Sequence, residues 1–399
     1  MRRRTLKRLG VATVACATLL GALLLVVRET YGWVFPVASS SMAPTLRPGD
    51  WVFVRYARGV PDMHDVVVLA EPDGGATIKR VAALPEDRVV VDVAGDLRVD
   101  NVLRDPAEGW PAPTVLFDAS LRSIGEAWSH GQGDDARMLL DPWTRTTPAG
   151  TDEVWRLDGT LVPTDSDLGL LRFRERIDDG WLEPTGERVA GVVAVHDAVV
   201  EFEARVGSPG GVLRVQLVEQ GDVFDALVLV RGEGEPSGVY LRQRDLPGPT
   251  AGRLPRFLAV GEADVPVGRW FDVRFANVDN HLRLELDGQA FEASYGERNT
   301  RHPASPSSLP YSAGERIGVG ASRITLDVRG LRVLRDLHYV RAGTFGVDAP
   351  LQLGPDEIFV LGDASRGSRD SRQRGPIPVR QVVGRAEAVV WPPRRARGL

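Results

Sequence analysis

Lys79 is the residue whose type and surroundings point most directly to chemistry. The chain contains 49 lysine and arginine residues, yet only Lys7 and Lys79 are lysines. Arginine stays protonated in proteins, whereas a lysine amine becomes a neutral base when its surroundings lower its pKa. The neighbouring Ile78, Val81 and Ala82 supply an apolar setting of that kind. We interpret Lys79 as a candidate general base that requires a nucleophile; the alternative is a surface lysine retained by chance.

A run of serines at 39–41 lies upstream of this lysine. It continues as SMAPTL at 41–46 and a Gly-Asp turn at 49–50, and residues 51–55 (WVFVR) then have the composition of a strand. A serine hydroxyl becomes a strong nucleophile only when a nearby base removes its proton, and a neutral lysine is one recognised base. Taken alone, serines followed by proline-rich turns are typical of a linker.

The order of several short blocks resembles the bacterial type I signal peptidases, which are membrane-anchored Ser/Lys endopeptidases. Each block is weak by itself, but their combination in one order is specific. The blocks are SMAPTL at 41–46, the strand at 51–55, DVVV at 65–68, IKR at 78–80 with LPED at 84–87, and, far downstream, IFVLGDASRGSRDSR at 358–372 with GPIP at 375–378.

The resemblance implies roles for three serines and for Lys79. Ser41 would be the nucleophile and Lys79 its general base. Ser39 would donate its hydroxyl, together with the Ser41 backbone N–H, to the tetrahedral oxyanion, and Ser368 would hydrogen-bond and orient the Lys79 amine. Ser40 replaces the glycine that is usual in the family between the two donors.

Charged residues of the downstream block complete the predicted site. The resemblance implies that Asp370 and Arg372 pair to hold the loop. We infer that Asp363 faces Arg80, with two solvated charges as the alternative. Residues 364–366 (Ala-Ser-Arg) depart from the usual Asn-Arg-Asp of the family, which affects the bonding within the loop rather than the Ser41–Lys79 pair.

The N-terminal residues have the pattern of a membrane anchor. Nineteen uncharged residues at 9–27 follow a basic start and would form a helix of roughly 28 Å, about one hydrocarbon core thick. The basic flank predicts a cytoplasmic N-terminus and a catalytic domain on the outer, periplasmic side of the cytoplasmic (inner) membrane, anchored by a single pass. The rival interpretation, a signal peptide cleaved near Cys16, leaves too few apolar residues before the cut.

Composition excludes several other classes of protein. The net charge of −5 and the lack of a basic stripe exclude a nucleic-acid partner. A single cysteine allows no intramolecular disulfide and no cysteine-based metal site, and the six histidines lack paired spacing. We therefore predict no metal and no cofactor.

The long region at 105–338 predicts an inserted domain. Val200, Phe202, Ala204 and Val206 alternate with charged residues as in a half-buried strand, and similar short strands recur up to residue 328. The pattern predicts a mostly β chain with an antiparallel β-sandwich. Its hairpin at 268–288 resembles those of concanavalin-like or laminin-G-like jelly rolls. We predict a structural or substrate-shaping module, with a bound glycan as the alternative.

The predicted organisation has four parts and one leading function. The tail and anchor cover 1–30, the two halves of a signal-peptidase-type antiparallel β core cover 31–104 and 339–399, and the jelly-roll-like insertion lies between them. The resemblance implies cleavage of signal peptides from secretory preproteins after small side chains, with Trp51 and Phe53 touching the lipid bilayer. The alternative is an inactive, membrane-tethered lectin-like binding protein. Self-cleaving Ser/Lys repressors are excluded, since they would need a DNA-binding segment and no anchor.

Overall fold

The computed structural model describes two compact units of the chain. Of the described residues, 32–103 and 338–399 form one unit, called here the core unit, and 114–337 form the other, called the sandwich unit. The predicted anchor at 9–27 and Cys16 lie outside the described residues. No helix within the described ranges is long and apolar enough to cross a membrane. These ranges are 32–57, 59–92, 95–103, 114–130, 143–147, 153–163, 169–219, 221–232, 234–245, 254–295 and 316–399.

Short strands dominate both units. The core unit begins with β1 (Gly32–Pro36), β2 (Trp51–Tyr56), β3 (Val66–Ala70), β4 (Ala76–Ala83), β5 (Arg88–Val91), β6 (Leu97–Val99) and β7 (Val102–Leu103). The sandwich unit contributes β8 (Thr114–Asp118), β9 (Trp128–His130), β10 (Trp143–Arg145), β11 (Trp155–Asp158), β12 (Leu170–Phe173), β13 (Trp181–Leu182), β14 (Arg188–Val189), β15 (Ala198–Val206), β16 (Val212–Glu219), β17 (Asp222–Leu229), β18 (Ser237–Asp245), β19 (Arg256–Ala263), β20 (Trp270–Val278), β21 (His281–Leu286), β22 (Gln289–Ser294), β23 (Ile317–Ser322) and β24 (Thr325–Arg335).

The chain then returns to the core unit. Its remaining strands are β25 (Leu351–Gln352), β26 (Glu357–Leu361), β27 (Ile377–Pro378), β28 (Val382–Trp391) and β29 (Arg397–Gly398). Among the described residues, the α-helices are single turns, α1 (Ile124–Ala127) in the sandwich unit and α2 (Ser371–Arg374) in the core unit, and 3₁₀ turns cover Ser365–Gly367, Val379–Gln381 and Pro393–Arg395.

The core unit is built on an antiparallel sheet in the order β1-β2-β28-β3-β4-β26-β27, with β29 beside β28. A smaller sheet has the order β25-β5-β6-β7. Strand β3 shows why its sequence is apolar throughout: Val66 and Val68 pack into one hydrophobic cluster, and Val67 and Leu69 pack into another. Because successive side chains of a strand point to opposite faces, both faces of the large sheet are covered.

The sandwich unit consists of two antiparallel sheets around one hydrophobic core. One sheet has the order β10-β11-β24-β15-β20-β21-β22, with β8 beside β24, and the other has the order β19-β18-β17-β16-β23-β12-β9. Residues such as Phe202 of β15 and Leu213 of β16 meet in that core. The predictions of a mostly β chain with antiparallel sheets and an inserted sandwich are confirmed.

The hairpins of the sandwich unit follow from local turn chemistry. Asp279 and Asn280 join β20 to β21, and Asp287 and Gly288 join β21 to β22. All four residues have positive φ angles, between 45° and 83°. Two-residue turns with two positive φ angles match the twist of antiparallel strands, and Asp, Asn and Gly adopt them most readily.

Candidate active site

Ser41 lies in the loop that joins β1 to β2. The loop is closed at its base, where the Val37 N–H donates to the Asp50 carbonyl at 2.8 Å. The Met42 and Leu46 side chains are fully buried beneath it. Burial of two large apolar side chains within a few residues fixes the loop by packing. Ser41 itself keeps 8% of its surface exposed, so its position is set while its hydroxyl stays within reach of solvent.

Residues near the C-terminus hold the same loop from a second side. Arg395 donates from Nε and Nη2 to the two carboxylate oxygens of Asp50, at 2.9 and 2.7 Å. Asp50 also accepts from the Arg47 backbone N–H at 2.8 Å. Arg397 donates to the Thr45 carbonyl at 2.7 Å. A bidentate arginine–carboxylate contact constrains both distance and orientation, so these residues hold the serine loop in one conformation.

Lys79 extends from the centre of β4 towards this loop. Its Nζ lies 3.0 Å from Ser41 Oγ, 3.2 Å from Thr77 Oγ1 and 2.9 Å from the Ile78 carbonyl oxygen. The side chain is only 3% exposed. Thr77 and Lys79 are two residues apart on one strand, so their side chains project from the same face. Strand geometry alone therefore brings the threonine hydroxyl to the amine.

Burial lowers the pKa of the Lys79 amine below its ordinary value, and the charges of Asp370 and Glu71 oppose that shift only in part. All three hydrogen-bond partners of the amine are neutral oxygen atoms. A neutral amine has two N–H groups and one lone pair. If the two N–H groups donate to Thr77 Oγ1 and the Ile78 carbonyl, the lone pair faces the Ser41 hydroxyl, which is the orientation that proton removal requires.

The next residue of β4, Arg80, points to the opposite face of the sheet and meets Asp363. Arg80 donates from Nε and Nη2 to the Asp363 carboxylate at 2.9 and 2.6 Å, in a pair almost fully removed from solvent. Thr45 donates its hydroxyl to the same carboxylate at 2.5 Å. The serine loop, β4 and the segment after β26 are therefore joined by one carboxylate.

A second buried ion pair holds the downstream loop. Arg372 contacts the Asp370 carboxylate at 2.9 and 2.8 Å, and neither side chain has any exposed surface. Asp370 also accepts from the Gly362 N–H at 3.0 Å and begins α2 as part of a capping box. Arg372 donates further to the Ser365 carbonyl at 2.7 Å. The buried ion pair of Asp370 and Arg372 thus holds the loop between β26 and α2 in place.

Ser39 lies beside the serine–lysine pair on the exposed side. Its Oγ is 3.2 Å from Ser41 Oγ. Within the described part of the chain, the Ser41 backbone N–H donates to no acceptor. A hydroxyl and a backbone N–H that are close together and otherwise uncommitted are the donor types found in oxyanion holes. The structure thus brings together the two groups that the sequence suggested as oxyanion donors.

Ser368, which the resemblance gave the role of orienting the Lys79 amine, is buried after β26. Its Oγ has no hydrogen-bond partner among the described residues, so it makes no hydrogen bond to the amine there. The side chain instead packs against Gly362, where a Cβ atom would clash both with Ser368 and with the Ser41 carbonyl. Thr77 occupies the place next to the amine that Ser368 was expected to take. The two-residue spacing of Thr77 and Lys79 is the sequence feature that could have indicated this contact, because it places both side chains on one face of a strand.

These groups can perform acyl transfer. A serine hydroxyl that can lose its proton to a neighbouring neutral amine is a nucleophile for carbonyl carbon, and two N–H or O–H donors beside it can stabilise the resulting oxyanion. Around Ser41 and Lys79, the described residues bring no three histidine, cysteine or carboxylate ligands together. The fold and these side chains are those of a mostly β protein with a serine–lysine pair on a sheet.

The family profile described as "Signal peptidase, peptidase S26" matches residues 7–113 and 280–391, which together make up more than half of the chain. The chain belongs to this family of serine peptidases. The first matched segment contains the serine loop and β4, and the second contains the loop that follows β26. The second segment starts at the turn between β20 and β21, inside the sandwich unit.

Solved structures resemble the chain only distantly. A GH43 glycoside hydrolase with endo-xylanase and exo-arabinofuranosidase activity shares 15% identity over 76% of this chain and 54% of its own, with a TM-score of 0.37. The GH43B enzyme of the Bacteroides ovatus xyloglucan locus shares 15% over 73% and 52%, with a TM-score of 0.35. A non-specific GH16 endo-β-1,3(4)-glucanase shares 10% over 58% and 98%, with a TM-score of 0.34. The chain spans about half the length of the two GH43 enzymes.

Proposed function

We propose that this protein is a serine endopeptidase that removes signal peptides from secretory preproteins, with Ser41 as the nucleophile and Lys79 as its general base. The observation that carries the proposal is the 3.0 Å separation of Lys79 Nζ and Ser41 Oγ, with the amine buried. Burial lowers the pKa of Lys79, and a lysine with a lowered pKa is a recognised partner for a nucleophilic serine. The family match supports the same reaction class.

The reaction then proceeds through an acyl-enzyme. Ser41 Oγ attacks the carbonyl carbon of the scissile peptide bond while Lys79 Nζ takes the hydroxyl proton. The tetrahedral intermediate collapses, the C–N bond breaks, and Lys79 gives its proton to the leaving amine. Water then attacks the ester, again losing a proton to Lys79, which returns that proton to Ser41 Oγ as the ester bond breaks. The amine therefore cycles between neutral and charged forms, for which its neutral oxygen partners are suited.

The neighbouring groups have separate roles in this proposal. The Ser39 hydroxyl and the Ser41 N–H donate to the oxyanion. Thr77 and the Ile78 carbonyl orient the amine, a role that the family resemblance gave to Ser368. The Arg80–Asp363 and Asp370–Arg372 pairs act only as supports, because they hold the segments that carry the reacting groups.

We extend the proposal to the membrane. The uncharged segment at 9–27 would anchor the chain, with the catalytic domain outside the cytoplasmic membrane. Trp51 and Trp391 are paired in register on β2 and β28 and are 46% and 56% exposed, whereas Phe53 is half-buried. Exposed tryptophans favour the interfacial region of a bilayer. A peptidase held there meets membrane-tethered signal peptides at high effective concentration.

Cleavage of a preprotein by the detergent-solubilised chain tests this function. The parent chain should cut after a residue with a small side chain, and Ser41→Ala and Lys79→Arg should both abolish the cut. Ser40→Ala is the matched control, because Ser40 is the adjacent, exposed serine, and it should retain cleavage. Retention of full activity in Ser41→Ala or Lys79→Arg would refute the assignment. A parent chain that is inert on several preproteins would favour the inactive binding protein instead.

A further inference from the structure

The sandwich unit has a cavity on the outer face of its seven-stranded sheet, the face that points away from the hydrophobic core. The cavity has a volume of about 290 Å³, which is at the small end of the range for small-molecule sites. It is lined on this face by residues of β12, β16, β17, β18, β19 and β23, with Leu170, Arg214, Leu227, Tyr240, Arg242 and Phe257 among them.

Two glycines let neighbouring segments pack closely at one side of the cavity. Strand β23 lies between β16 and β12 and has Gly318 and Gly320 on the outer face, in register with Gln216 and Arg214 of β16. A Cβ at Gly318 would lie 3.2 Å from the Leu170 side chain, and one at Gly320 would clash with the Gly169 backbone. Gly169 and Leu170, which both line the cavity, therefore pack directly against these glycines.

A row of polar side chains crosses the outer face of the sheet beside the cavity. Arg172, Gln216, Asp225 and Arg242 stand in register across β12, β16, β17 and β18, with Gly318 of β23 between the first two. Arg172 donates to Gln216 at 3.0 Å, Gln216 donates to Asp225 at 3.1 Å, and Arg242 donates to Asp225 at 2.8 Å.

This polar row is unusual for the outer face of an antiparallel sheet, where charged side chains ordinarily extend into water. Gln216 and Asp225 have no exposed surface, and Arg214 and Arg242 are buried. Buried charges are tolerated when their hydrogen bonds are matched, and such a network holds its planar groups in fixed positions. Asp225 therefore holds Arg214 and Arg242, the two charged side chains that line the cavity, in fixed positions.

Two aromatic side chains lie next to Arg242. The Tyr240 and Phe257 rings lie edge to face with their centroids 5.8 Å apart, and both line the cavity. Phe257 belongs to β19, at the edge of the sheet, and is 56% exposed. An exposed aromatic ring beside a fixed polar network presents a flat apolar surface and a hydrogen-bonding surface to the same volume.

We propose that this cavity binds a carbohydrate, with one or two sugar rings packed on the Tyr240 and Phe257 rings beside the Arg214 and Arg242 guanidinium groups. A sugar ring has apolar C–H faces that pack on aromatic rings and hydroxyl groups around its edge that accept hydrogen bonds from guanidinium groups. The proposal is independent of the peptidase function.

Calorimetric titration of the full chain tests the proposal. The probes are glucose, galactose, xylose, N-acetylglucosamine and glucuronic acid, each as the monosaccharide and as a β-linked disaccharide. The detergent must lack a sugar headgroup, because a glycoside detergent would compete for the site. At least one probe should bind with a millimolar or tighter Kd. Phe257→Ala should then weaken binding about fivefold or more, since an aromatic contact contributes about that much.

Three further variants sharpen the result. Tyr240→Phe keeps the ring and should bind as the parent does if packing on the ring dominates, whereas Tyr240→Ala should bind more weakly. Val192→Ala removes an apolar side chain of the same unit that is 58% exposed and does not line the cavity, and it should leave the Kd unchanged. Phe257 is exposed, so its truncation does not threaten folding. The proposal is overturned if no probe binds at millimolar concentration, if Phe257→Ala and Tyr240→Ala both bind as the parent does, or if Val192→Ala is equally impaired.

Discussion

The two units of the chain bury cationic side chains in opposite surroundings. In the core unit, the Lys79 amine hydrogen-bonds to three neutral oxygen atoms and to no carboxylate of the described residues. In the sandwich unit, Arg214, Arg242 and Arg244 all contact the Asp225 carboxylate within 3.0 Å. Burial alone would raise the pKa of Asp225, but the three arginines and Gln216 outweigh it and lower that pKa to about 2.

Burial of a charged group has two different outcomes, which depend on whether a counter-charge is buried with it. A buried charge without a counter-charge is destabilised relative to its neutral form, so its pKa moves towards neutrality and the group exchanges protons. A buried charge with a counter-charge stays ionised across the physiological range and acts only as a link. The same contrast exists on β4 itself: Arg80, one residue after Lys79, faces the other side of the sheet and is paired with Asp363.

Replacing Lys79 should have the largest effect. Lys79→Arg keeps a cation that cannot give up its proton, and Lys79→Met keeps the length of the side chain without charge or basicity. Both should lower kcat by roughly 10⁶-fold, the scale for loss of one member of a catalytic pair or triad. Lys79→Met should also unfold at higher urea concentration than the parent chain, because it removes a buried amine whose ionised form is destabilised by burial. Measurable turnover in Lys79→Arg would show that the buried amine is not the base.

Removing the counter-charge in the sandwich unit should have the next largest effect. Asp225→Ala removes the carboxylate that three arginines share, and should lower the free energy of unfolding of this unit by about 3–5 kcal/mol. Urea unfolding followed by hydrogen exchange at β16–β18 measures this loss. Asp264→Ala is the control, because Asp264 is exposed in the same unit, and it should stay within about 0.5 kcal/mol. Equal stabilities of the two variants would mean that Asp225 does not balance the arginines.

The two buried groups should also differ in their pH dependence. The neutral fraction of Lys79 rises with pH, so kcat/KM should rise about tenfold per pH unit on its acidic limb. Because burial lowers this pKa, the limb should end below 10.5, the ordinary lysine value. A pH–rate profile of preprotein cleavage measures the limb. A profile that is flat on the acidic side would contradict a titrating base.

Stability should follow the same shifts and rise with pH in both units, but in a different pH window for each. The folded chain releases the Lys79 proton at a lower pH than the unfolded chain does, so stability rises with pH between the two pKa values. The pKa of Asp225 is lowered from 3.8 to about 2 on folding, so its contribution is complete above pH 3.8 and is lost as pH falls towards 2. Thermal unfolding against pH measures both, with Lys79→Met and Asp225→Ala as the variants that remove each dependence.

The smallest predicted effect concerns the orientation of the amine. Thr77→Val keeps the shape of the side chain but removes the hydroxyl 3.2 Å from Lys79 Nζ, and it should lower kcat about tenfold with little change in KM, the size of one hydrogen bond. Thr77→Ser restores the hydroxyl and should recover most of the rate. Ser368→Ala should affect kcat less than Thr77→Val does. The reverse order would mean that Ser368 orients the amine during turnover.

Local patterns in the sequence were enough to predict the strands and to identify Lys79 as an unusual residue. Alternation in 199–206 predicts a half-buried strand because side chains of a strand point to opposite faces, and β15 has that pattern of burial. Lys79 stands out because the chain otherwise uses arginine. The order of the short blocks was sufficient to indicate the family. Each of these inferences depends only on residues that are close together or on the order of motifs.

Contacts between distant residues could be decided only by the tertiary structure. Asp50 meets Arg395, 345 positions away, because β28 lies between β2 and β3 rather than next to a sequence neighbour. The same pairing of distant strands brings Thr45 to Asp363, while Ser368 lies against Gly362 instead of at the amine. The sugar-sized cavity likewise exists only because six strands align their outward residues in register. No local pattern predicts which strands become neighbours, because strand pairing depends on how the whole sheet buries its apolar faces.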